Sequence, residues 1–227
     1  MRIKITKNGP YLVSGGIPLK EMVITAKGHH YAYTEGRALP QAETYALCRC
    51  GESHNPPFCD GAHATLNFDG TETASREPYL DRIADVTSGT TMDLLDDNRC
   101  AFARFCHTDR GDIWSLTERD SVPENREAAA KAARECPAGR LMMVDKEGNV
   151  LEETSSPEII ILQDPERKVS SGIFVKGPIT VEGADGKEYE VRNRVMLCRC
   201  GQSGNKPFCN ANHVGAEFND GHVNTHN

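Results

Sequence analysis

The sequence predicts an α+β fold, mainly β, in which two small β-rich modules flank an α+β insert. Two observations predict it. An array of three cysteines and one histidine occurs twice, 150 residues apart, each copy set among short β-branched and aromatic runs broken by Gly, Pro and Asp. Between the copies lies a segment with a strong helix signal between two strand-like runs. The chain therefore divides into residues 1–75, 76–165 and 166–227.

The first array is Cys48, Cys50, Cys59 and His63 in CRCGESHNPPFCDGAH; the second is Cys198, Cys200, Cys209 and His213 in CRCGQSGNKPFCNANH. Both read C-x-C-x8-C-x3-H. Thiolates with imidazole suit iron-sulfur clusters or zinc, whereas magnesium and calcium prefer oxygen ligands. Ser53 and Ser203, Pro57 and Pro207, and Phe58 and Phe208 repeat at fixed offsets and set a loop shape. Asp60 after the third cysteine can cap a short helix whose first turn carries His63; Asn210 can do the same for His213 with one charge fewer. Arg49 and Arg199, between the paired cysteines, either tune the site by charge or are solvated. Zinc remains the competing metal, since three Cys and one His also make a closed tetrahedral site.

The duplication reaches beyond the ligands. ITKNGPYLV is matched with FVKGPITVEG, TYALCRC with RVMLCRC, and Phe68-Asp69-Gly70 with Phe218 and Asp220-Gly221. The first copy has an extra stretch, KGHHYAYTEGRALP, whose His29 and His30 are expected in a solvated loop.

CRCGESHNPPFCDGAH resembles the CDGSH iron-sulfur domain of the NEET proteins, and meets every fixed position of that family's pattern. The resemblance implies one 2Fe-2S cluster per motif: Cys48 and Cys50 on the inner iron with Cys59 and His63 on the outer one, then Cys198 and Cys200 with Cys209 and His213. Asn210 and Ala211 depart from the family's Asp-Gly, which bears on the stability and potential of the second cluster. Asp60, Asn210, Arg49 and Arg199 are thus the candidate cluster-tuning residues. Family members pair as strand-exchanged homodimers, so two modules in one chain are expected to pair intramolecularly, in a pseudo-twofold arrangement that leaves a monomer.

The insert holds Cys100, Cys106 and Cys136. Bacterial ferredoxins use C-x2-C-x2-C with a distant C-P; here Ala103 takes the second position and Cys136-Pro137 supplies the fourth. The segment resembles a divergent single-cluster ferredoxin-like domain. Three thiolates can hold a 3Fe-4S cluster, or a 4Fe-4S cluster whose last iron binds solvent or His107; a domain that has lost its cluster is the alternative. ENREAAAKAARE at 124–135 is rich in helix formers, while GTTMDLLDD and GRLMMVD read as strands. Trp114 and Phe105 are expected in the core of this insert.

Six of nine cysteines belong to the paired arrays, which fits a reducing compartment, and the protein is expected to be cytoplasmic. No run approaches the ~20 apolar residues of a spanning helix, so no membrane partner is expected. With 33 acidic against 26 basic residues and no Lys/Arg cluster, nucleic acid is not an expected partner. Aromatic residues are 6% of the chain and mean hydropathy is -0.53, so metal binding is expected to supply stability that small apolar cores do not. No nucleophilic triad, phosphate loop or carboxylate pair can be assembled. The expected role is a redox or cluster carrier that serves redox or cluster-accepting proteins and is not an enzyme. A zinc-binding structural module and a redox subunit of an unidentified enzyme are the alternatives.

Overall fold

The computed structural model describes residues 1–223. Its strands and helices, in chain order, are β1 (Arg2–Ile5), β2 (Tyr11–Ser14), β3 (Leu19–Lys27), β4 (His30–Glu35), β5 (Thr44–Leu47), α1 (Ala62–Thr65), β6 (Asp85–Ser88) and β7 (Met92–Asp96), then the short β8 (His107–Thr108) and β9 (Gly111–Asp112). Next come α2 (Ile113–Glu118), α3 (Pro123–Glu135), β10 (Leu141–Asp145), β11 (Glu158–Asp164), β12 (Val169–Lys176), β13 (Thr180–Glu182), β14 (Arg194–Leu197) and α4 (Asn212–Gly215).

The alternation of apolar and polar residues in RIKI and YLVS turns one face of β1 and β2 inward. Neither module closes its sheet alone. The first sheet runs β13-β1-β2-β5, and β13 comes from the second copy, parallel to β1 with Ile3 opposite Val181. The second runs β14-β12-β11-β3-β4, and β3 comes from the first copy, parallel to β11 with Glu21 opposite Ile161. Each copy thus lends one strand to the other, which is the intramolecular pairing expected from the duplication. A single core results, in which Ile3, Ile5, Val13 and Leu19 of the first copy pack with Ile159, Ile161, Val175 and Leu197 of the second. Shared burial explains how two modules too small for separate apolar cores are stabilised.

Strand register corrects two sequence matches. Tyr11 lies opposite Leu47 and Ile173 opposite Leu197, with each leucine directly before its first cysteine. Gly9-Pro10 therefore precedes β2, whereas Gly177-Pro178 follows β12 and corresponds to Gly15-Gly16. Likewise, counting from Phe68 and Phe218 sets Gly70 against Asp220, one residue away from the Asp-Gly match read in sequence. β11, in the span assigned to the insert, belongs to the second module's sheet.

The insert is a three-stranded sheet, β10-β7-β6, covered by α2 and α3, with Leu94, Leu116, Ala132 and Met143 in its core. α3 starts at Pro123, whose ring suits a first helical turn, and ends at Glu135, with Cys136 as its C-cap. Trp114 packs against this core. Phe105 does not; it belongs to the contact between insert and second module, with Ile160, Phe174 and Met196, and stacks on Tyr33 at 4.2 Å between ring centroids. The extra stretch of the first copy is a loop only in part: His29 lies in the exposed turn between β3 and β4, but His30 does not. From His30 the stretch forms β4 on the edge of the second sheet, where Tyr33 donates to the Glu135 carbonyl and His30 Nδ1 lies 2.7 Å from Asp109. Among the described residues no helix is long and apolar enough to cross a membrane.

Candidate metal centres

Each four-ligand site is built on the end of a strand. β5 runs into Cys48, and the chain folds back so that Cys48 N–H donates to the Pro57 carbonyl and Cys59 N–H to the Ala46 carbonyl. β14 does the same for Cys198 with Pro207 and Cys209 with Met196. Ser53 and Ser203 lock the loops by donating to the Phe58 and Phe208 carbonyls, each at 2.6 Å. Phe58 and Phe208 stand edge-on to Tyr45 and Tyr189. These contacts account for the repeated Ser and Phe of the motif.

The ligands come together as two pairs. Cys48 and Cys50 Sγ atoms are 3.6 Å apart, and Cys59 Sγ is 3.4 Å from His63 Nδ1. The second copy repeats this at 3.7 Å for Cys198 and Cys200, and 3.5 Å for Cys209 and His213. Two thiolates on one tetrahedral metal with bonds of 2.3 Å lie about 3.7 Å apart, and a thiolate and imidazole slightly closer. Among the described residues no three such donors converge on one metal position. Each donor set therefore suits two metals held by two ligands apiece.

The two CxC segments meet back to back at the pseudo-twofold axis. A Cβ on Gly51 would stand 2.8 Å from the Cys200 carbonyl oxygen, and one on Gly201 2.5 Å from that of Cys50, so both positions require glycine.

Around this symmetric frame the environments differ. In the first copy, Asp60 does not cap α1 as an N-cap; Gly61 holds that position in the left-handed region. The Asp60 carboxylate takes Ala62 N–H, His54 N–H and His54 Nδ1, and the backbone donors, largest among these influences, hold its carboxyl well below the usual range. In the second copy Ala211 takes the left-handed position at φ 70° and Asn210 accepts weakly from Asn212 N–H at 3.3 Å. His63 is half-buried, while His213 is 2% exposed, with Nε2 3.4 Å from the Ser171 hydroxyl. Burial lowers the His213 pKa to about 4, with Asp164 opposing and Arg199 and Arg104 assisting. Burial raises the Cys209 thiol to about 12, and the Cys198–Cys200 pair is coupled so that the Cys198 thiolate is stabilised while the Cys200 thiol holds its proton.

Arg49 and Arg199 are not solvated; each is 2% exposed. Arg49 donates to the Gly9 and Gly70 carbonyls and lies over the Tyr11 and Phe68 rings, and one of its terminal nitrogens has no partner. Arg199 donates to the Ser171 and Leu162 carbonyls and forms an ion pair with Asp220. Asp220 was not a candidate from the sequence, nor was Tyr11, whose hydroxyl crosses the pseudo-axis to the Cys198 carbonyl at 2.8 Å.

Of the insert's cysteines, Cys106 and Cys136 pack against its core, while Cys100 lines a cavity with Cys209. Burial, then the thiols of Cys136 and Cys100, raise Cys106 to about 11. Ala103, in the place of a ferredoxin's second cysteine, is buried against the second module with Ala101, Phe174, Met196 and Cys209. His107 lines an outer cavity with His30, Asp109 and Glu135.

These features are those of an iron-sulfur protein, and the family comparison agrees. Residues 8–64 and 171–214 match the model described as iron-binding zinc finger CDGSH type, and residues 87–146 match the divergent 4Fe-4S mono-cluster family. No curated protein and no solved structure matches significantly. The chain thus carries two CDGSH-type iron-binding regions on either side of a divergent 4Fe-4S-type region, the tandem arrangement read in the sequence.

Proposed function

We propose that the chain is an electron or cluster carrier with one 2Fe-2S cluster at each CDGSH site. The observation that carries this reading is the grouping of each donor set into two pairs at single-metal separation. Cys48 and Cys50, and Cys198 and Cys200, hold the inner metals; Cys59 with His63, and Cys209 with His213, hold the outer ones. A bound cluster supplies a one-electron couple, whose potential is raised when a neutral imidazole replaces a thiolate.

The chain's own residues set the rest. Nδ1 of each histidine faces its cysteine and is the ligating atom, so Nε2 carries the exchangeable proton. His63 is half-buried, with Nε2 toward Gly9, whereas His213 is buried, with Nε2 at the Ser171 hydroxyl. Proton coupling therefore belongs mainly to the first site. Arg49, Arg199, Asp60 and Asn210 tune the sites.

Cys100, Cys106 and Cys136 hold a third cluster. A three-thiolate set suits a 3Fe-4S centre, or a 4Fe-4S centre completed by solvent; His107, turned to the outer cavity, is not supported as a ligand. Internal strand exchange supports a monomer, and the acidic surface supports a basic redox or cluster-accepting partner. Incubating the anaerobically purified protein with an apo-ferredoxin tests the carrier role. Transfer of colour to the acceptor is expected of a cluster donor; reduction of the holo-acceptor without cluster loss is expected of an electron carrier. Neither would contradict both roles.

A further inference from the structure

The insert touches the two CDGSH sites unequally. Its Cys100–Cys106 loop is laid over the second site: Ala101, Ala103 and Phe105 share a buried cluster with Cys209, and Cys100 lines the same cavity as Cys209, Asn210 and Ala211. Arg104 fixes the loop by a two-bonded ion pair with Asp164, at 2.6 and 2.9 Å, and lies over the Tyr31 ring of β4. Cys209, beneath this loop, is 4% exposed, and His213, against Ser171 of β12, is 2% exposed. At the first site Cys59 and His63 are half-buried, and Asp60, Gly61 and Leu66 are exposed.

We infer that the two CDGSH sites are different kinds of site: the first is the docking surface for a basic partner protein, and the second is an internal site facing the insert's cysteines. This rests on the carrier reading above. The first site's rim carries the carboxylates of Glu52 and Asp60 and the apolar Leu66, 55% exposed. The Asp60 carboxylate is fixed at this rim by the His54 and Ala62 N–H groups, at 2.8 and 3.0 Å. Acidic groups around a small apolar contact select a partner with a basic rim, and favour its encounter at low salt. The second copy lacks this surface, with Gln202, Asn210 and Ala216 at the equivalent positions. Since Cys100 and Cys209 border one cavity, the second site and the insert form a contiguous internal pair.

Hydrogen exchange on the metal-loaded full chain tests the inference without depending on which metal is bound. Amides of 61–65 are expected to exchange roughly tenfold or more faster than those of 211–215. Ferricytochrome c, as a basic protein probe at low salt, is expected to protect 52–66 and to leave 202–216 unchanged. An iron chelator is expected to bleach the chain in two phases, and Arg104→Gln to quicken only the slower phase and exchange at 211–215. Equal exchange of the two loops, or protection by the probe of 202–216 or of neither loop, overturns the inference. A chain with zinc and no sulfide would instead defeat the iron-sulfur reading, and the exchange data would still judge the docking surface.

Discussion

Asp220 neutralises Arg199 beside the second pair of cysteines, and Arg49, at the equivalent place beside the first pair, forms no ion pair with a carboxylate among the described residues. Both arginines are buried, and the difference follows from one position, Asp220 against Gly70. Ser170 donates to Asp220 at 2.8 Å, and burial is outweighed by Arg199 and these hydrogen bonds, so its pKa falls to about 2. The pair is therefore ionised at neutral pH. A buried cation without a counter-charge favours the reduced, more negative state of a neighbouring redox centre.

Asp220→Asn should therefore raise the potential of the second centre, by on the order of 50 mV, and leave the first nearly unchanged. Spectroelectrochemical titration checks this, with His63→Cys used to distinguish the first centre by its altered spectrum. A shift confined to the first centre, or a fall at the second, would contradict the charge account. Some loss of stability is also expected, about 3–5 kcal/mol if Arg199 is left without compensation.

Gly70→Ala should weaken the first site. A Cβ there would overlap the Arg49 guanidinium, whose place is fixed by the Gly9 and Gly70 carbonyls. Overpacking of this kind costs about 1–3 kcal/mol. Thermal bleaching of the variant should show one early transition while the second site melts as in the parent.

Ala211→Gly should strengthen the second site. Ala211 holds the left-handed conformation that Gly61 holds in the first copy. That conformation costs a non-glycine residue roughly 1–2 kcal/mol, partly offset by the greater backbone entropy of glycine in the unfolded chain. A modest rise in the bleaching temperature of the second site is the expected result; a fall would show that the alanine methyl packs usefully.

Acid should remove metal from the first site before the second. The His213 pKa is lowered from 6.5 to about 4, chiefly by burial, so the fold favours its unprotonated, ligating form. The associated stability is present above pH ~6.5 and is lost as pH falls through about 4. Asp60 lies against His54, so the order rests on the burial of His213. Bleaching rates between pH 7 and 4 in His63→Cys and His213→Cys proteins measure the order, with the faster phase expected in His213→Cys, which retains His63.

The candidate donor sets, which the fold groups in pairs, stood out in the sequence because cluster chemistry restricts residue type and spacing together, and the loop residues Ser53, Pro57 and Phe58 repeat beside them. Helix α3 and strands β7 and β10 were legible from composition alone. What sequence did not carry was contact between distant segments. How the buried Arg49 and Arg199 are compensated depends on Gly70 and Asp220, a comparison hidden by a one-residue difference in spacing. The missing cysteine at Ala103 is explained only when the insert's loop is seen packed on Cys209. His29 lies in an exposed turn as expected, but His30 read as loop because the strand it begins is held partly by the insert, through Asp109, rather than by a hydrophobic pattern of its own.

The central claim is that each CDGSH donor set holds two irons bridged by sulfide. Iron, zinc and acid-labile sulfide should be quantified per chain in the anaerobically purified protein. About two irons and two sulfides per CDGSH site are expected, with about three or four more irons where the insert is loaded. Stoichiometric zinc with no sulfide, and a colourless protein, would contradict it.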